Sequence, residues 1–160
     1  MNSTAKAYWM GLERSNGFIE FFTAGMEGDD WLQRPAGAPN PAIWILGHLA
    51  HSRAAFLEML TGQQTYEEGW DALAGLGVDP QDASVYPDVD TCRVVLDARL
   101  RDLKSYLEMA SEADLDSPPC VSSKFFKTKA AVLVQLSHHE AHHTGALSML
   151  RRLLGKERVI

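Results

Sequence analysis

The 160-residue sequence predicts an all-α protein, a four-helix bundle, on three observations. Four stretches each carry an apolar stripe at three-and-four spacing. No stretch alternates apolar and polar residues at period two, as a half-buried strand would. The connections between the stretches are unequal, and the middle one is long enough to cross along a bundle instead of turning tightly. Apolar residues make up 46% of the chain and charged ones 22%, a folded composition. The length suits a single domain over residues 1–160.

The first helix is predicted from about Thr4 to Met26, on the stripe Ala5, Tyr8, Leu12, Ile19, Phe22 and Met26, with Gly28-Asp29-Asp30 ending it. Gly11 and Gly17 weaken it by about 1 kcal/mol each relative to Ala. The second has the clearest start: Asn40 suits an N-cap and Pro41 the first helical turn, where its missing N–H costs nothing. It runs through Ile45, Phe56 and Met59 to Thr61-Gly62, where Gly takes a left-handed C-cap. The third begins near Asp90 or Thr91 and carries Leu96, Leu100, Leu103, Leu107 and Ala110, and Pro118-Pro119 bars its continuation. The fourth begins near Thr128 and ends with Arg151 and Arg152 before Gly155, cations that complement the helix dipole. The Thr61 to Val89 connection is predicted to form a short helix with Trp70, Leu73 and Leu76, to lie over one end of the bundle and to shape access to it.

The formal charge of −6 argues against a nucleic-acid surface as the main purpose. The short run of Lys124, Lys127 and Lys129 is predicted to be solvated charge at the start of the fourth helix. Two cysteines, Cys92 and Cys120, in no CxxC arrangement, exclude a disulfide framework and predict free thiols. The first residues lack a signal-peptide apolar core, and no apolar run spans a bilayer. These features predict a soluble, cytoplasmic protein with neither nucleic acid nor membrane as partner.

The informative feature is histidine placement. All six lie in two helical stretches: His48 and His51 in the second helix, and His138, His139, His142 and His143 in the fourth. Imidazoles four residues apart share a helix face and can share one metal ion. Stepping from Val132 through Leu136, His139, His143, Ala146, Leu150 and Leu153 gives a stripe that is apolar except for its two histidines. Stepping from Ala131 through Gln135, His138, His142, Gly145, Met149 and Arg152 gives a mixed row. His139 and His143 are therefore predicted to face the core, where something must satisfy them. In the second helix His48 shares its face with Ile45, Ser52, Ala55 and Met59 and makes the better third ligand. His51 falls with Trp44, Gly47, Ala54 and Glu58. One ion explains His48, His139 and His143 together, and three ligands leave a position open for water or substrate. Against this stands the bland alternative, in which each histidine is a hydrogen-bonded core or surface residue.

His139-Glu140-Ala141-His142-His143 also satisfies HExxH, the zinc-peptidase helix with Glu as general base. Its extension would need Gly at 146 and His at 149, where Ala146 and Met149 stand, and only Glu157 is available as an acidic downstream ligand. Glu140 stays a candidate base or support for the ligands, but an exposed helix Glu is the favoured reading. Cys92 opens the third helix, where a thiol can be acidified, although an inert buried thiol is favoured. Trp44, one turn before His48, is placed to wall a pocket.

The segment Asn40-Pro41-Ala42-Ile43-Trp44-Ile45-Leu46-Gly47-His48-Leu49, together with His139-Glu140-Ala141-His142-His143-Thr144-Gly145 and Leu153-Leu154-Gly155, resembles the DinB-like family over nearly the whole chain. The resemblance implies an up-down-down-up four-helix bundle, often a homodimer. It also implies one divalent metal, zinc or nickel, held by three histidines, here His48, His139 and His143, with His142 matching a common non-ligand histidine. It further implies thiol-dependent S-transferase or isomerase chemistry on a small molecule, with a low-molecular-weight thiol as partner. A metal-dependent hydrolase, or a metal-containing binding or stress protein whose ion is structural, stays open beside it.

Overall fold

The structure, a computed structural model, describes residues 1–82 and 85–159. Residues 83–84 of the long connection and residue 160 of the expected domain lie outside the described residues. The helices are α1 (Ser3–Thr23), α2 (Ala42–Thr61), α3 (Trp70–Ala74), α4 (Val89–Met109), α5 (Glu112–Leu115) and α6 (Lys129–Leu153), and among the described residues there is no strand. The four predicted helices are α1, α2, α4 and α6, and the short helix expected in the connection is α3.

Local chemistry sets the boundaries. Asn2 Oδ1 accepts from the Ala5 amide at 2.8 Å and starts α1. α1 stops at Thr23, three residues short of the predicted Met26: Thr23 Oγ1 donates to the Ile19 carbonyl at 2.8 Å and Gly25, at φ 71°, turns the chain. Met26 still packs in the core, and its carbonyl accepts from the buried Trp31 indole at 3.0 Å. At α2, Pro41 occupies the cap in extended backbone, so Asn40 falls one residue outside and caps nothing. Gly62 closes α2 at φ 75°, as predicted. Asp88 caps α4 through the Thr91 amide and Thr128 caps α6 through the Ala131 amide.

Contacts between helix ends give the relative directions. The Asn2 side chain at the start of α1 donates to the Ala110 carbonyl beyond the end of α4, so these two helices run oppositely. Arg151 near the end of α6 donates to the carbonyls of Phe22 and Ala24, so α6 runs with α1. Gly47 and Cys92, near the starts of α2 and α4, are neighbours, so these two run together.

α2 departs most from the single-stripe expectation. Every residue from Ala42 to Ala54 is buried, because α3, α4 and α6 all pack on it. The apolar core falls into two clusters, one around Phe22, Ile43, Leu46, Leu96 and Leu147, the other around Leu12, Leu60, Leu103, Leu133 and Leu136. Lys129 corrects another expectation. It is buried, with Nζ 2.7 Å from Asp114 Oδ1 and 5.9 Å from the Tyr106 ring centroid, whereas Lys124 and Lys127 are exposed. Its long stem fills the gap between α5 and α6, and its ammonium finds a carboxylate there. Among the described residues no helix is long and apolar enough to cross a membrane.

Candidate metal centre

α2 and α6 face each other where their histidines sit. His48, His139 and His143 each offer a ligand atom, and these atoms all lie within 4.8 Å of one another. His48 and His139 approach to 2.9 Å between Nε2 atoms, and the His143 ring centroid lies 4.6 Å from each of the other two. His51, His138 and His142 are outside the group. His51 is buried beside Asp71, with Nε2 3.5 Å from its carboxylate, and its ring lies 5.2 Å from that of Tyr66. His138 and His142 are exposed, His142 meeting His143 edge-on at 5.0 Å.

The surroundings fix the orientation and protonation of these rings. His48 Nδ1 donates to the Ala74 carbonyl at 2.7 Å, which places its proton there and leaves the Nε2 lone pair facing the other histidines. Trp44, one turn earlier on α2, stacks on His48 at 4.6 Å and 9° and fixes its plane. With the His48 proton on Nδ1, the short contact requires the proton between the rings to sit on His139 Nε2. His139 Nδ1 is then a buried acceptor with no donor. Burial lowers all three pKa values, His139 to about 4 and His143 to about 3, with neighbouring rings adding to the burial effect. Three neutral, converging imidazoles fit a divalent transition ion. Among the described residues the group brings together three candidate ligand atoms.

Glu140 is fully buried, which corrects its expected exposure. Its oxygens accept from Arg53 Nε at 2.6 Å and Nη2 at 3.2 Å, and Arg53 Nη1 donates to Asn16 Oδ1 and the Leu96 carbonyl. One residue beyond His139 is a rotation of about 100° around the helix. That carries Glu140 to the bundle axis, where α1, α2 and α4 meet α6. Both oxygens are committed to Arg53, and Glu140 does not line the cavity described below. Sequence reasoning missed Arg53, although a lone guanidinium inside the run Leu49 to Leu57 needs a buried carboxylate.

Cys92 is buried, and burial pushes its thiol up to about 12. The Asp88 carboxylate that caps α4 adds to that rise, so the helix N-terminus leaves the thiol inert.

His48 and His139 border a cavity of about 920 Å³. Phe56 and Met59 of α2 and Phe125 and Phe126 before α6 supply its apolar wall, and the long connection supplies Gln64, Tyr66, Glu67, Glu68, Asp71 and Leu76. The connection therefore shapes access to the histidines, as its length predicts.

With this geometry established, the chain can be set beside known proteins. No curated protein sequence matches it. The solved structure of a conserved protein from Enterococcus faecalis has the same fold, with a TM-score of 0.73 and 21% identity, covering 98% of this chain and 99% of that one. The profile of the DinB superfamily matches residues 14–147, which include every histidine of the site. The chain belongs to the DinB superfamily.

Proposed function

We propose that this protein is a metal-dependent enzyme in which His48, His139 and His143 hold one divalent transition metal, zinc or nickel. The observation that carries this reading is the convergence of three neutral imidazoles, two buried and His139 half-buried, from two helices beside a large cavity. When bound, an ion with an open position acidifies a thiol or a water placed on it. The protein's own part is orientation. Ala74 sets the His48 tautomer, Trp44 fixes that ring's plane, and the Arg53–Glu140 pair joins α2 to α6 next to His139. The apolar wall of the cavity limits water around the site.

In this reading the reaction is S-transfer or isomerisation assisted by a low-molecular-weight thiol and acting on a small molecule. The protein works as a cytoplasmic homodimer of one-domain chains, without nucleic acid or membrane. The family relationship supports the thiol chemistry, and the three-ligand set supports an open site over a closed structural one. Cobalt substitution tests both. A thiol added to the cobalt-loaded protein should give a sulfur-to-metal charge-transfer band in the near ultraviolet. A loaded protein whose spectrum is unchanged by thiols would overturn the thiol reading, and a failure to load would overturn the metal site.

A further inference from the structure

We infer that the cavity beside the three histidines selects a small organic cation, an ammonium carried on an apolar body. This deepens the proposed function by naming a substrate class, and rests on that reading for its catalytic meaning only. The lining combines an apolar wall, Phe56, Met59, Phe125 and Phe126, with four carboxylates, Glu58, Glu67, Glu68 and Asp71. Among the described residues no lysine or arginine lines it.

No lysine or arginine pairs with these carboxylates among the described residues. Glu58 accepts from Gln64 Nε2 at 2.9 Å and from the Tyr66 hydroxyl at 2.7 Å, both neutral donors that orient the carboxylate without cancelling it. Burial and the Glu58 carboxylate both raise the Tyr66 pKa, so its phenol stays protonated. No ion pair involves Glu67 or Glu68 among the described residues. Asp71, 93% exposed, has His51 as its ion-pair neighbour among the described residues, and burial lowers the His51 pKa, so that imidazole is neutral. His51 supplies an independent sign of a ligand. It is 7% exposed, it lines the cavity, and its Nδ1 has no hydrogen-bond partner. Lys124 lies against the Phe125 ring at 5.5 Å and Arg99 donates to the Thr65 carbonyl at 2.9 Å, both outside the lining.

A cavity walled by aromatic carbons and edged by uncancelled carboxylates attracts ammonium and repels carboxylate ligands of the same shape. A thiol or electrophile bearing an amine would be drawn to the histidines, and a dicarboxylate thiol would be turned away.

The test uses 2-phenylethylamine, 2-phenylethanol and 3-phenylpropionate, which share an apolar body and differ in charge. Each is titrated into the full-length protein, metal-free, by NMR at low salt. The ammonium should bind about tenfold or more tighter than the carboxylate, with the alcohol between them, and the order should flatten in Glu67→Gln/Glu68→Gln. Circular dichroism of the double variant establishes that it is folded, and if it is not, adding 0.5 M salt to the wild type takes its place and should flatten the order equally. Equal binding of the three, preference for the carboxylate, or no binding of any would overturn the inference. Because metal-free protein decides the outcome, a missing metal site would show separately, as failure to take up cobalt.

Discussion

Replacing His48, His139 or His143 by Ala should abolish stoichiometric metal binding, because each leaves two imidazoles where three converge. His51→Ala and His138→Ala should keep the ion, and His142→Ala should keep it with affinity reduced by at most about 10- to 100-fold through its edge contact with His143. Elemental analysis of the six variants beside circular dichroism checks this, and dependence on His138 with indifference to His139 would refute the ligand set. The same rings make the metal-free protein sensitive to acid. In the unfolded chain they titrate near 6.5, and in the folded chain His139 and His143 do so near about 4 and about 3. Between these values the unfolded chain binds protons that the folded chain does not. Stability is therefore complete above about pH 6.5 and is lost as pH falls towards 4 and 3. The urea midpoint of metal-free protein should fall between pH 7.5 and pH 5, and a His143→Leu variant should lose less of it. A midpoint indifferent to pH would show that burial of these rings costs the fold nothing.

At the scale of the helices, the tie between α2 and α6 is the Arg53–Glu140 pair, both members fully buried. Breaking it from one side, by Arg53→Met or Glu140→Gln, leaves an uncompensated charge or unmet donors and should cost about 3–5 kcal/mol. Arg53→Met/Glu140→Leu removes both charges and should recover most of that loss. Urea unfolding of the three variants measures the coupling, and simple additivity would mean that the two residues do not act as a pair. This pair also shows how far the sequence could be read. Periodicity finds α1, α2, α4 and α6, and the Val132–Leu136–His139–His143 row finds the two α6 histidines that meet His48, because side-chain spacing on a helix is fixed by its geometry. The row nevertheless lies to one side of the buried face of α6, which centres on Leu133, Leu136, Glu140, Thr144 and Leu147. Leu153, placed on the stripe, is 42% exposed. Charge hid the true face: Glu140 read as solvent-facing, Arg151 as a complement to the helix dipole and Lys129 as solvated charge, until their partners Arg53, the Phe22 and Ala24 carbonyls, and Asp114 are brought near by the fold. Those partners are 87, 127 to 129 and 15 residues away along the chain, so no local pattern announces them.

Across the whole molecule, the two apolar clusters are separated by a polar layer running from Asn16 through Arg53 and the Leu96 carbonyl to Glu140. The histidines sit where this layer meets the long connection. That segment is anchored by the buried Trp70 and by the Ala74 carbonyl, which holds the His48 proton. The next residue makes the anchor sensitive to a single methyl group. A Cβ at Gly75 would stand 2.4 Å from the Asp71 carbonyl oxygen, a backbone atom that cannot swing away. The Gly75 amide also donates to that same oxygen at 3.0 Å, closing the last turn of α3. Gly75→Ala should therefore open this turn and move the Ala74 carbonyl from His48, releasing the tautomer that presents Nε2. Metal affinity should fall about 10- to 100-fold, as for loss of other hydrogen-bond partners of metal-ligating histidines. Helical content should stay near wild type, since α3 is five residues long. Gly62→Ala serves as the contrast. It strains a left-handed cap at φ 75° at the far end of α2 and should lower the thermal midpoint without touching metal affinity beyond that loss. Isothermal titration of zinc into both variants, with competition by a chelator, separates the two effects. Equal zinc affinity in Gly75→Ala and wild type would mean that the Ala74 carbonyl does not hold His48 for the metal.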